Sequence, residues 1–442
     1  MLHYGRNLHA GQNLNDLVRH VVIPGTATPL PSIDALLAAV DAAGQRAKRR
    51  LPIVIDCLYE AEDPRDWKAL LASLSEVLSQ YPYVFVVCTL RPAFANDALP
   101  ENCERIEIPD FGSDTVAAIR KYFHHYRINA VDADIPWDML QHPLTLRFFC
   151  EVTNPTREKV VGIEKMPGSL TALFDHYLDQ AAKRIADLAP RTRRYCQQDV
   201  RVALDKIGWA LWEEKARSLD LVALQRLLGD SSLWHESIVQ AMEQDGILLR
   251  EPGEPPNGSR VAGAYDALAG HLVARAILTR VGSFGLDTWL KDSVTLSAFD
   301  GPYETRHHLA EDIFSSLVGL VPRQLHGKQL WTLLDEPRRL DALRKAADLE
   351  GAYLDAATVQ ELAKLVIARH EVRIDLLVRL MRTRGALEHP LNSAFLDSVL
   401  RQMGVAKRDL RWSEWIRRNR DGLLRDIERL EERWRDSLAS RT

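Results

Sequence analysis

Residues 51–67 read LPIVIDCLYEAEDPRDW. The apolar, largely β-branched run Ile53-Val54-Ile55 stops at Asp56, and Glu60 follows four positions later. β-Branched residues fit a pleated, half-buried surface. A continuous apolar run, as opposed to an alternating one, fits a strand of a parallel sheet with both faces covered. In such sheets ligands bind at the carboxyl ends of the strands. The stretch therefore predicts a strand over 51–56 that presents an acid at the functional end of an α/β layer.

The flanking segments support that layer. SIDALLAAVDAAGQRAKR (32–49) has apolar residues at helical spacing and ends in cations, which are favourable at a helix C-terminus. DPRDWKALLASLSEVLSQY (63–81) predicts a helix with Asp63 as N-cap and Pro64 at N1. YPYVFVVCTLRPAF (81–94) holds a second continuous apolar run, Val84 to Cys88. CERIEIPDF (103–111) predicts a shorter third strand, and SDTVAAIRKYFHHY (113–126) a helix. Strands alternating with helices define an α/β unit.

Beyond about residue 128 the β signal nearly vanishes. A short helix pair is expected over 134–154 and longer helices over 169–188, 199–214 and 222–229. In HESIVQAMEQDGILLREPGEPPNGSRVAGAYDALAGHLVARAIL (235–278), a helix, a short strand, a Gly/Pro/Asn loop and VAGAY precede another helix. Helices followed by a small hairpin are the pattern of a winged helix. From 281 onward the chain reads as helices alone, with no strict internal period. The expected organisation is an α/β part over 1–128, a small helical domain over 129–165, a winged-helix-like domain over 166–280 and an α-helical region over 281–442.

The bulk composition fits this. The chain has 442 residues, 46 % hydrophobic and 27 % charged, with net charge -4. At about 150 residues per domain, several domains are expected. The charge balance gives no global field for nucleic acid or membrane. No apolar run reaches the roughly 18 residues of a membrane span, and MLHYGRNLHAGQNL carries no signal-peptide core. The five cysteines (57, 88, 103, 150 and 196) form no CxxC or zinc spacing. A reduced, cytoplasmic protein is the default reading.

The chemistry turns on Asp56 and Glu60. In P-loop NTPases a strand-terminal Asp holds the Mg²⁺ on the β- and γ-phosphates, and a nearby acid or Gln orients the attacking water. A neighbouring strand tip, Thr89-Leu90-Arg91, offers a polar residue and a cation where a γ-phosphate would be sensed. The competing reading is an Asp that caps the next turn and an Arg that pairs with a surface acid. A phosphate cradle, GxxxxGK[ST], does not occur in the sequence. GEPPNGSR (253–260) lacks the Lys and reads as a turn. His124-His125 and His307-His308 are adjacent pairs that point to different sides of a helix, and Trp209 and Trp212 share a face as core residues.

The order of these pieces resembles the STAND-type NTPases, the relatives of NACHT and NB-ARC modules that include bacterial antiviral proteins. VIDCLYEAEDPRDW resembles their Walker B region and VVCTLRPAF their sensor-1 strand. MLQHPLTLRFF is similar to the helical-domain motif whose Pro, here Pro143, lies near the adenine. RVAGAYDALAGHLVARAIL resembles the winged-helix segment. EHPLNSAFLDSVLRQMGVAKRDLRWSEWIRRN (388–419) is similar to the helical region beyond it. The resemblance implies ATP and Mg²⁺ as ligands. It casts Asp56 on Mg²⁺, Glu60 on water, Thr89 and Arg91 at the phosphates and Pro143 at adenine. It also implies protein partners, either a self-oligomer or an upstream NTPase and effector half. By family order the Walker A loop would lie upstream of Met1, and Tyr59 stands where many relatives carry a second acid. Weak or absent ATP binding is therefore expected of this chain. So is a sheet with too few strands, or exposed apolar surface near residues 1–30. The alternative is a non-catalytic scaffold that binds protein or, less favoured by charge, DNA.

Overall fold

The computed structural model describes residues 2–402 except 6–7, 10, 20–29, 59–60, 62, 91–94, 102, 107–109, 131–136, 163–167, 191, 193, 232, 234–235, 252–258 and 369–388. The chain is mostly helical with little sheet, and it divides into two compact units, Met1–Ile108 and Pro109–Thr442.

The first unit is built on a parallel sheet of β1 (Leu2–Tyr4), β2 (Leu51–Asp56) and β3 (Val84–Cys88), in that spatial order. Around it lie α1 (Leu14–Val18), α2 (Ile33–Ala47), α3 (Asp66–Leu78) and the single turn α4 (Ala95–Ala98). Ser32 caps α2 by accepting the Ala35 N–H, a role serine commonly takes at a helix start. Helix α3 starts later than expected. Asp63 accepts the Arg65 N–H at 2.9 Å and pairs with the Arg65 guanidinium, so 63–65 form a turn and the helix begins at Asp66. The short-range hydrogen bond of an Asp competes with helical geometry here.

Leu36 and Leu37 of α2 and Leu74 of α3 line one small cavity together with Ile53, Ile55 and Val86 of the sheet. Both helices thus cover the same face. The opposite face carries Pro52, exposed, Val54, half-buried, and Phe85 and Val87, which are 38 % and 40 % exposed. The coverage of both faces that the apolar runs predict is not met among the described residues. The third strand is also elsewhere than expected. Residues 103–106 pair with nothing, residues 107–109 lie outside the described set, and β1 takes the place beside β2. Exposed apolar surface was expected near residues 1–30; of that range Leu8, Leu14, Leu17 and Val18 are buried, and residues 20–29 lie outside the described set. Phe85 and Val87 of β3 are exposed.

The second unit opens with α5 (Thr115–Tyr126), whose Ile119, Phe123 and Tyr126 join the core of this unit and not that of the sheet. A minimal parallel pair, β4 (Ile128–Asn129) and β5 (Val161–Gly162), brackets α6 (Trp137–Leu140) and α7 (Pro143–Thr153). Next come α8 (Leu170–Asp187), α9 (Gln197–Glu213), β6 (Ser218–Asp220), α10 (Leu221–Leu228), α11 (Ile238–Gln244), β7 (Leu248–Glu251) and β8 (Arg260–Gly263). These strands form an antiparallel sheet in the order β6-β8-β7.

Helix α12 (Asp266–Lys291) runs through the centre and breaks at Gly282, where φ is 66°. It crosses α9 where Gly208 meets the Leu272 backbone, and it crosses α14 (Ala310–Gln324) where Gly270 meets Asp312 and Ile313. Only a residue without Cβ permits such backbone approaches. The described residues that follow contain helices and 3₁₀ turns only: α13 (Ser293–Asp300), α15 (Arg338–Ala346), α16 (Ala356–Ala368) and α17 (Ser393–Gln402). The charged segment 413–442 lies outside the described residues.

Candidate functional site

Parallel register brings the carboxyl ends of β2 and β3 side by side, with Ile55 opposite Cys88. Thr89, one step beyond β3, is tied to β2 four times. Its N–H donates to the Ile55 carbonyl at 3.0 Å and its carbonyl accepts the Leu58 N–H at 2.9 Å. Its hydroxyl accepts the Cys57 N–H at 2.8 Å and donates to Asp56 Oδ1 at 2.5 Å. Cys57 turns the chain there in the left-handed region, with φ 58°. Gly5, just past β1, packs its Cα against the Cys57 carbonyl, where a Cβ has no room.

The result is a half-buried aspartate with one oxygen fixed and no protein hydrogen bond to Oδ2 among the described residues. Charge-assisted O–H···O⁻ bonds of this length are strong. Thr89 therefore acts on Asp56, and its hydroxyl is already used in both directions. Burial pushes the neighbouring Cys88 thiol up to about 12, so it is protonated and inert near neutral pH.

Of the site residues expected from sequence, Asp56 and Thr89 are in contact. Glu60 and Arg91 lie outside the described residues. Pro143 belongs to the second unit, exposed at the first position of α7. Its neighbour His142 stacks on Tyr265, with ring centroids 5.4 Å apart, and Phe148 and Phe174 also lie against Tyr265. Two segments singled out by sequence, MLQHPLTLRFF and RVAGAYDALAGHL, thus meet through aromatic rings. His142 Nδ1 is buried and has no hydrogen-bond partner among the described residues.

The donor set fits Mg²⁺ in one position only. Mg²⁺ is commonly held by one or two carboxylates plus water and substrate phosphates, and Asp56 Oδ2 meets that minimum. No group of three or more His, Cys, Asp or Glu side chains able to hold a metal occurs among the described residues.

A second polar cluster lies inside the helical unit. His271, fully buried, shares a proton with Asp175 at 2.9 Å, and Arg275 and Arg323 lie 3.7 Å from the same carboxylate. Burial works to raise the Asp175 carboxyl, but the His271 hydrogen bond and the two guanidinium groups hold it below the ordinary range. Arg323 also pairs with Glu350, whose Oε1 accepts the Gly168 N–H. Two acids and two arginines balance around a histidine that burial keeps neutral. That composition fits a structural clasp between α8, α12 and α14.

No described helix is long and apolar enough to cross a membrane. No protein-family model matches the chain, and no curated protein matches it.

Proposed function

We propose that the chain is a portion of a STAND-type ATP-binding switch protein, working in cytoplasmic signalling or antiphage defence. The observation that carries the reading is the strapped Asp56 at the carboxyl ends of adjacent parallel strands. The order helix, strand, helix, helix, strand, strand over α9 to β8, with its β6-β8-β7 sheet, supports a winged helix after the α/β part. The His142–Tyr265 stack supports the pairing of a helical-domain motif with that module.

In this reading Asp56 Oδ2 holds Mg²⁺, Glu60 orients water, Arg91 reads the γ-phosphate and Pro143 borders the adenine. Thr89 keeps Asp56 in place. Mg·ATP, when bound, supplies the charge that stabilises an activated oligomer. The phosphate cradle comes from a strand–loop–helix unit added at the edge of β3 that no described strand occupies. That edge has the apolar sequence VFVVC and none of the charges or prolines that protect natural edges. A helix on the same unit covers Pro52, Val54, Phe85 and Val87.

The test is a neutral-pH calorimetric titration of Mg·ATP into this chain alone. Weak binding is expected. Micromolar binding would overturn the need for a separate phosphate loop. In cells, Glu60→Gln and Arg91→Ala in the native context are expected to abolish protection against phage, whereas unchanged protection favours a scaffold in which the half-site is vestigial.

DNA binding through the winged helix is the weaker alternative. The second helix of the α10–α11 pair, the position that enters the major groove in helix-turn-helix proteins, is α11. Its Ile238, Val239, Gln240 and Met242 are buried, and its Glu243 pairs with Arg250. That helix offers no basic face.

A further inference from the structure

Net charge conceals a local excess of cations in the second unit. Between 115 and 127 the sequence holds Arg120, Lys121 and Arg127 and no acid. The loop before β5 adds Arg157 and Lys159, with one acid, Glu158, between them, so the patch holds five cations against a single carboxylate. Asn154, buried, clamps that loop onto the end of α5. Its Nδ2 donates to the carbonyls of Tyr126 at 2.7 Å, Lys159 at 2.8 Å and Arg127 at 3.4 Å. Arg157 lies over the Tyr126 ring at 4.0 Å and donates to His125 Nε2.

The five cations are exposed, except Arg157, which is half-buried. None of them has a carboxylate partner among the described residues, unlike Arg184, Arg201, Arg217 and Arg250 in the same unit. The helix dipole favours cations in the last turn of α5, but it does not account for Arg157 and Lys159, which come from another segment. Arg127 and Arg157 both sit in the left-handed region, with φ of 53° and 58°. Glycine adopts that conformation freely, whereas an L-residue pays for it. Lys48 and Lys215 adopt the same conformation elsewhere; here Arg127 also donates to the Glu158 carbonyl at 2.8 Å, so both guanidinium groups are held in place by the loop and α5.

We propose that this end of α5, with the loop before β5, binds the phosphate backbone of nucleic acid without reading sequence. Three of the five cations are arginines, which grip phosphates bidentately. A protein partner needs an apolar centre to the interface, and Val160 is the one large exposed apolar side chain in the loop. The proposal does not depend on the nucleotide reading of the first unit.

Fluorescence anisotropy of labelled oligo-dT tests it, in a salt series on the full chain. Wild-type binding is expected to weaken steeply with salt. The pair Arg127→Gly and Arg157→Gly removes two cations at positions where glycine matches the backbone. It is expected to flatten the slope of log K against log salt by about 1.4, at about 0.7 per single-strand contact. Lys121→Glu with Lys159→Glu is expected to weaken binding at least as much. Lys48→Glu with Arg49→Glu, in the first unit, is expected to change nothing. Salt-insensitive or absent binding overturns the proposal, as does loss on the Lys48/Arg49 change alone. A poly-glutamate probe that binds in preference to oligo-dT overturns the choice of nucleic acid.

Discussion

Thr89 donates its hydroxyl hydrogen to Asp56 Oδ1 while accepting the Cys57 N–H, so one side chain closes two strand tips into one unit. Thr89→Val is expected to speed amide exchange at Cys57 and to destabilise the first unit by about 1 kcal/mol, the net worth of a typical hydrogen bond. Thr89→Ser keeps the hydroxyl and is expected to restore slow exchange. Hydrogen-exchange mass spectrometry reads both, and equal protection in all three proteins would sink the strap.

The open edge of β3 carries its own expectation. Phe85→Lys and Val87→Lys place charge on exposed positions, where substitutions change stability by about 0.5 kcal/mol or less. They are expected to lower self-association at high concentration. Sedimentation velocity across a concentration series checks this. Wild-type protein that stays monomeric throughout contradicts it.

The crossing of α9 and α12 depends on the missing side chain of Gly208. A Cβ there collides with the Leu272 carbonyl, which is helix backbone and cannot yield locally. Gly208→Ala is expected to destabilise the helical unit by about 1–3 kcal/mol, as for other overpacked cores. In an exposed helix the same change stabilises, so the sign of the shift in urea midpoint decides the point.

Acid acts on the helical unit through His307. Its Nε2–H donates to the Leu211 carbonyl and its Nδ1 accepts the Leu309 N–H. Burial lowers it from 6.5 to about 4. In the unfolded chain it binds a proton below about pH 6.5. In the folded chain it stays neutral down to about pH 4. The contribution of neutral His307 is therefore full above pH 6.5 and is lost as pH falls from there toward 4, by up to about 3 kcal/mol. His271, fully buried, is shifted in the same direction by burial. Urea midpoints at pH 7 and 4.5 for wild type and His307→Gln measure the term. Identical pH slopes in the two proteins refute it.

Much of the local structure is legible in the chain. The runs Leu51–Asp56 and Val84–Cys88 and the helical spacing of 32–49 and 169–188 all appear as elements. These signals are short-range and stereochemical. The start of α3 was misjudged because Asp63 bonds Arg65 two residues on instead of capping the helix. Strand β1 escaped notice because Leu2–Tyr4 is too short to show alternation. The strand expected in 103–111 is not formed over 103–106, where Ile106 is 81 % exposed.

The site divides in the same way. The acid at the end of a buried strand was visible in LPIVID, because a polar residue breaks an apolar run. Its partner was visible only as a polar residue at a second strand tip. That Thr89 grips Asp56, 33 positions away, follows from parallel register between β2 and β3.

The sequence by itself determined which segments form β2, β3 and the long helices, that Asp56 ends a strand, and that the later chain is mainly helical. Each of these is set by spacing and propensity over a few residues. Tertiary structure alone decided four other things. It placed β1 beside β2, left Phe85 and Val87 uncovered, joined His271 to Asp175 and gathered five cations at the end of α5 and in the loop before β5. Those outcomes depend on which distant surfaces exclude water from each other, and no local pattern of residues encodes that choice.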